Sequence, residues 1–304
     1  MNFRERFVEY IHQLQDTICT GLEQADGKAT FVEDRWERPE GGGGKTRVIA
    51  DGNVLEKGGV NTSVVHGPLP ASMQQMFGVA DCDFFACGLS MVLHPLNPFV
   101  PTTHANWRYF ELYNKNGDRI DSWFGGGADL TPYYLFEEDA RHFHTTLKNA
   151  IAPFGEELYP LYKKQCDEYF ANKHRNNEMR GIGGVFYDHL RPTDEADRER
   201  LFAFQQANGD CFLDAYLPII SKRKDMPYGT PEVEWQEIRR GRYVEFNLVH
   251  DKGTLFGLKT NGRTESILMS LPPRARWYYA HEPAPGSREA EMMKYYFPND
   301  WVWV

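Results

Sequence analysis

Residues 88–110 read GLSMVLHPLNPFVPTTHANWRYF. Leu89, Met91 and Leu93 alternate with Ser90, Val92 and His94, the period of a buried strand. Pro95, Pro98 and Pro101 then exclude both helix and central strand, so the chain crosses as a loop. His104 opens a second alternation, in which Asn106, Arg108 and Phe110 face away from Ala105, Trp107 and Tyr109. Two histidines, an amide and an arginine therefore sit on strand ends around one rigid loop, where reacting groups are well held. A hairpin with two incidental histidines satisfies the same spacing.

The rest of the chain supports a sheet-and-helix protein. It has 304 residues, 41% hydrophobic and 25% charged, ordinary for a globular chain with a large core. The net charge of -9 repels nucleic acid and anionic membrane surfaces. No apolar run reaches the roughly 18 residues of a membrane span. The first helix carries Glu5 and Glu9 and lacks a signal-peptide core, which predicts a cytoplasmic protein. Five cysteines without a CxxC pair argue against a disulfide framework or a zinc ribbon.

Phe3, Phe7, Ile11, Leu14 and Ile18 predict an amphipathic helix that Asp26-Gly27 ends. FVEDRW at 31–36 reads as a strand entering Gly41–Gly44. The Walker spacing fails there because Pro39 stands where glycine is required. A mobile lid with Lys45 and Arg47 as basic handles, or a plain flexible turn, are the two readings of that run. Asn116-Gly117 marks a hairpin. Gly125–Gly127 allows a sharp turn or a close approach to a ligand. Helices are predicted over Leu135–Ala150, Glu156–His174, Thr193–Asp210, Cys211–Arg223 and Pro231–Arg240. Gly183 and Gly184 leave room on the face of a short strand at 180–190. RYVEFNLV (Arg242–Val249) and TLFGLKT after it alternate cleanly and predict two more strands. The expected fold is α+β, a single domain over 1–304 with a large, mainly antiparallel β-sheet covered by α-helices on both faces.

Several long strings carry a family resemblance: WERPEGGGGKTRV, VLHPLNPFVPTTHANWRYFE, WFGGGADLTPYY, and GRYVEFNLVHDKGTLFGLKTNGRTESILMSLPP. Together they resemble the oxygen-dependent coproporphyrinogen-III oxidases over essentially the whole chain. The resemblance implies oxidative decarboxylation of two propionates of coproporphyrinogen III to vinyls, with O2 as co-substrate and no organic cofactor. It assigns His104 as proton donor, and Asp129 and Asp251 to pyrrole binding and proton abstraction. Ser90, Asn106, Trp107, Arg108, Asn261, Gly262 and Arg263 match substrate-contacting segments. His94, His104, His144 and His174 match positions proposed as ligands of a divalent metal in some members. A homodimer built largely through residues 243–278 is also implied. Lys252 stands where the family commonly has arginine and loses the bidentate fork. Asn261 stands where many members have Gly or Ser and still suits a turn. A histidine-metal oxygenase and a non-catalytic tetrapyrrole carrier are the competing functions.

Overall fold

The computed structural model describes residues 1–259 and 262–297. Helix α1 (Phe3–Asp26) leads into strands β1 (Val32–Glu37), β2 (Gly42–Ala50) and β3 (Leu55–Pro68). Helix α2 (Ala71–Phe77) precedes β4 (Asp83–Pro95), β5 (Thr102–Tyr113) and β6 (Arg119–Thr131). Helices α3 (Glu137–Ile151) and α4 (Leu158–Tyr169) follow, then a small hairpin, β7 (Ala171–Asn172) and β8 (Glu178–Met179). Strand β9 (Gly184–Leu190) is succeeded by helices α5 (Glu195–Asp210), α6 (Phe212–Arg223), α7 (Thr230–Val249), α8 (Lys252–Lys259), α9 (Thr264–Leu268) and α10 (Arg288–Met293).

Seven strands form one sheet in the order β1-β2-β3-β4-β5-β6-β9, antiparallel at every step. The stretch 88–110 is its centre, as expected: β4, a proline loop and β5. The fold is α+β, with helices on both faces. Side-chain alternation makes the two faces chemically different. One face carries Leu89, Met91, Ala105, Trp107, Tyr109 and Phe124 into the main core, under α1, α3, α5 and α6. Helix α1 is fixed at both ends, by a capping box between Asn2 and Glu5 and by Gly27 in the left-handed region.

The other face is covered only in part. At one end α2 closes over Phe84, Leu112 and Trp123. At the other end lie α7 and α9. The His94 ring meets Tyr243 at 5.2 Å, and Asn61 Nδ2 donates to the Ser266 carbonyl at 2.8 Å.

Six local expectations are corrected. Arg242–Val249 is not a strand but the second half of α7. Its buried residues Tyr243, Phe246 and Asn247 are three and four positions apart, and Leu248 and Val249 are exposed. The helical stripe was hidden because its earlier members include Gln236, Arg239 and Arg240, polar residues that are nonetheless buried. The described part of TLFGLKT is helix α8, begun by Asp251, whose Oδ2 accepts the Thr254 N–H at 2.7 Å. Gly42–Gly44 is neither lid nor free turn, because it lies within β2 and pairs with β1 and β3. Gly125–Gly127 continues β6 rather than turning it, and the room expected at Gly183 and Gly184 is filled, because β-carbons there would lie 2.4 Å from Asp167 Oδ1 and 2.0 Å from the Ala128 carbonyl oxygen. Helix α4 also stops at Tyr169, short of His174, because Ala171-Asn172 pairs with Glu178-Met179.

Candidate active site

The uncovered part of the second face is a trough floored by small residues. Strand register aligns Asn61, Ser90, Asn106, Gly127 and Phe186 in one row across five strands. The next row is Gly44, Ser63, Gly88, Arg108 and Gly125. Ser90 is exposed although β4 is the middle strand of the seven, which locates the opening. Phe110 and Trp123, stacked at 4.3 Å, wall one side. Helices α7 and α9 wall the other. Strands spaced ~4.8 Å make the second row about 19 Å wide from β2 to β6. A flat, broad ligand suits such a floor better than a compact one.

A continuous hydrogen-bonded row of side chains runs along it. Arg180 Nη2 donates to both oxygens of Asp129, at 2.7 and 3.0 Å, and Arg180 Nε adds a third bond at 3.1 Å. Asp129 Oδ1 accepts from His104 Nδ1 at 2.8 Å. His104 Nε2 meets Asn106 Nδ2 at 3.4 Å. Asn106 Oδ1 accepts from Arg108 Nη1 at 2.8 Å, and Arg108 Nη2 pairs with Asp188 Oδ1 at 3.0 Å. Each partner fixes the polarity of the next. Arg108 turns the Asn106 oxygen toward itself, so the amide N–H faces His104. Asp129, an acceptor only, takes the Nδ1 proton. The imidazole is thereby held with Nε2 as its proton-accepting atom at the trough. Gly125 makes the row possible, because a β-carbon there would lie 2.7 Å from both Arg108 Nε and Asp188 Oδ1.

The electrostatics follow from burial and pairing. Burial alone raises the Asp129 carboxyl, but the Arg180 charge and the His104 and Arg180 hydrogen bonds outweigh it and hold Asp129 below the usual carboxylate range. Asp188 is likewise held low, with Arg108 outweighing burial. Arg180 is 2% exposed, and its guanidinium lies 3.9 Å from the Phe170 ring centroid and 4.8 Å from that of Tyr243. Asp251 stands over the β9 end of the trough and accepts from the Tyr169 hydroxyl at 3.0 Å. Tyr169 stacks on the Phe186 ring of the floor at 4.2 Å.

The expected residues are therefore sorted. His104, Asn106, Arg108 and Asp129 form one connected set, Ser90 lies on the same floor, and Asp251 overlooks it. Trp107 is corrected: it is fully buried on the opposite face, 6.3 Å from Phe212, because it alternates with His104 and Arg108. Gly262 donates its N–H to the Gly257 carbonyl, and Arg263 pairs with Asp34 of β1 at the far edge of the sheet. Asn261 lies outside the described residues. Lys45 and Arg47 are not handles for this site. Arg47 pairs with Asp16 of α1 at 2.6 Å, on the other face, and Lys45 shares its orientation by alternation.

The four histidines do not fit one metal centre. His94 is fully buried, with Nδ1 bonded to Thr102 Oγ1 at 3.2 Å and Nε2 to the Ser270 carbonyl at 2.8 Å. His144 is bonded to the Tyr159 hydroxyl at 2.7 Å and the Ile182 carbonyl at 3.2 Å, and burial pushes it down to about 3. His174 is exposed, against His250 and Glu245. Among the described residues no group of three or more His, Cys, Asp or Glu side chains is arranged to hold a metal ion.

Arg180, Asp188 and Tyr169 were not expected. Arg180 had one signal, a lone cation entering the apolar glycine run RGIGGV. Asp188 follows from β9 alternation, since it faces the same way as Phe186. Tyr169 has no signal beyond its place in the helix expected over Glu156–His174.

No helix among the described residues is long and apolar enough to cross a membrane. A family model for coproporphyrinogen III oxidase matches residues 6–301. That match spans every element of the sheet and both walls of the trough. The chain belongs to the coproporphyrinogen III oxidase family, oxidoreductases of haem biosynthesis that act on coproporphyrinogen III.

Proposed function

We propose that this chain is the oxygen-dependent oxidase: it converts two propionates of coproporphyrinogen III to vinyls, giving protoporphyrinogen IX. For each propionate, the carboxylate leaves as CO2, and a hydride equivalent leaves the neighbouring methylene. That equivalent and one proton reduce O2 to hydrogen peroxide. The porphyrinogen is electron-rich and supplies the electrons, so the reading needs no organic cofactor. The observation that carries it is the row from Arg180 to Asp188 on the floor of an open trough. It offers an imidazole that can take a proton at His104 Nε2 and hand it back as the donor that the resemblance implies, and a cation for a propionate at Arg108; Arg263, at the β1 edge of the same face, is a second cation. Asp129 is a positioning residue here, because its oxygens are occupied by Arg180 and His104. Asp251 is the carboxylate placed to receive a pyrrole N–H proton, and Ser90 contacts the macrocycle from below. The trough excludes bulk water from the reacting ring once substrate covers it.

The test is a single assay in two stages. Enzyme and reduced coproporphyrinogen are mixed without oxygen, then aerated, and products are separated by chromatography. Vinyl products, CO2 and peroxide are expected only after aeration. Turnover before aeration overturns the oxygen requirement. Binding with no vinyl product at either stage favours a tetrapyrrole carrier. Full activity in protein shown free of metal by elemental analysis dismisses the metal oxygenase.

We also propose that the chain works as one domain in the cytoplasm and as a homodimer through residues 243–278. Leu248, Val249, Trp277 and Tyr278 are exposed there, an apolar concentration unusual for a free surface. Leu248→Glu with Val249→Glu is expected to halve the mass measured by light scattering. An unchanged mass places the contact elsewhere.

A further inference from the structure

The geometry points to Tyr169 as a positioning residue for the reaction, acting through Asp251. The inference rests on the role proposed above for Asp251.

Asp251 sits between α7 and α8, on a segment that reaches the site from the helical wall, not from the sheet. Something must register that carboxylate against the floor, and two bonds do so. Its Oδ2 accepts the Thr254 N–H at 2.7 Å, the ordinary bond of a helix N-cap. Its Oδ1 accepts the Tyr169 hydroxyl at 3.0 Å. The same hydroxyl oxygen accepts the Lys252 N–H at 3.2 Å. Tyr169 therefore clamps the side chain of one residue and the backbone of the next.

The clamp is itself fixed to the floor. The Tyr169 ring lies 4.2 Å from the Phe186 ring with 12° between their planes, and stands edge-on to Phe170 at 4.8 Å. Phe186 pairs in register with Gly127. Phe170 in turn stands against the His104 ring at 5.6 Å. The last residue of α4 thus ties the helix-borne carboxylate to the strands that hold the imidazole. A hydroxyl placed only to satisfy its own burial would need no contact with both Asp251 and Lys252.

Tyr169→Phe removes the hydroxyl and keeps both ring contacts. The expected result is a fall in kcat of roughly tenfold or more, the effect of losing a hydrogen bond to a charged group, with KM nearly unchanged. The thermal midpoint should stay at the wild-type value, since the stack on Phe186 remains. Tyr169→Leu removes the ring as well, and should lower both kcat and the midpoint. In an Asp251→Asn background, Tyr169→Phe should add no further loss. A Tyr169→Phe enzyme with wild-type kcat overturns the inference. So does a loss of kcat matched by a lowered midpoint, which marks a structural role. A fully active Asp251→Asn enzyme instead overturns the role proposed for Asp251.

Discussion

His104→Ala is expected to lower kcat by about 10²–10⁴-fold, the span that a positioned acid–base group supplies. The fold should survive the change. The imidazole lies on the floor with 16% of its side chain exposed, and Asp129 keeps its bonds from Arg180 when the ring is gone. KM should change little, because the cations proposed for the propionates are on Arg108 and Arg263. His104→Gln is the sharper comparison. It can return one N–H to Asp129 but cannot pick up and release a proton near neutral pH, so it should be as slow as alanine. A His104→Ala enzyme that keeps more than about a hundredth of wild-type turnover would fall outside that range and remove His104 from proton transfer.

That expectation draws on residues read from the sequence and on others that sequence reasoning did not reach. Residues 88–110 were legible because their signals are local: strict alternation, three prolines and a second alternation. The same alternation already set Trp107 against His104 and Arg108. It was carried into the site only by treating residues 106–108 as one substrate-contacting run, and the strand period was the better guide. The region 242–259 failed for a different reason. Periodicity reads burial through polarity, and α7 buries Gln236, Arg239 and Arg240 on its inward face. Arg240 is satisfied there by Glu56 at 2.6 Å and by the Pro95 carbonyl at 2.9 Å, partners far away in sequence. Composition cannot reveal such long-range pairing. The glycine runs failed similarly. They looked like turns, but their use is to let an indole or a guanidinium lie flat on a strand, as Trp36 does over Gly44 and Arg108 over Gly125.

The same limit hid Arg180, and its replacement tests how the site is held together. Arg180→Met should destabilise the fold by about 3–5 kcal/mol, the usual cost of leaving one partner of a buried ion pair alone. The loss has two sources. Asp129 is left buried without its main counter-charge, and the Phe170, Tyr243 and Phe246 rings lose the cation they surround. Asp129 is then driven toward its protonated form, because the charge that outweighed its burial has gone. Adding Asp129→Leu removes the stranded carboxyl, and the double variant should recover much of the stability, as apolar replacements of buried pairs commonly do. It should not recover turnover, because His104 Nδ1 then has no acceptor to orient the ring. Urea melts and steady-state kinetics on the two variants therefore separate the pair's two roles. A single variant as stable as wild type would mean that the pair contributes nothing to the fold. A double variant with wild-type kcat would mean that the orientation of His104 does not depend on Asp129.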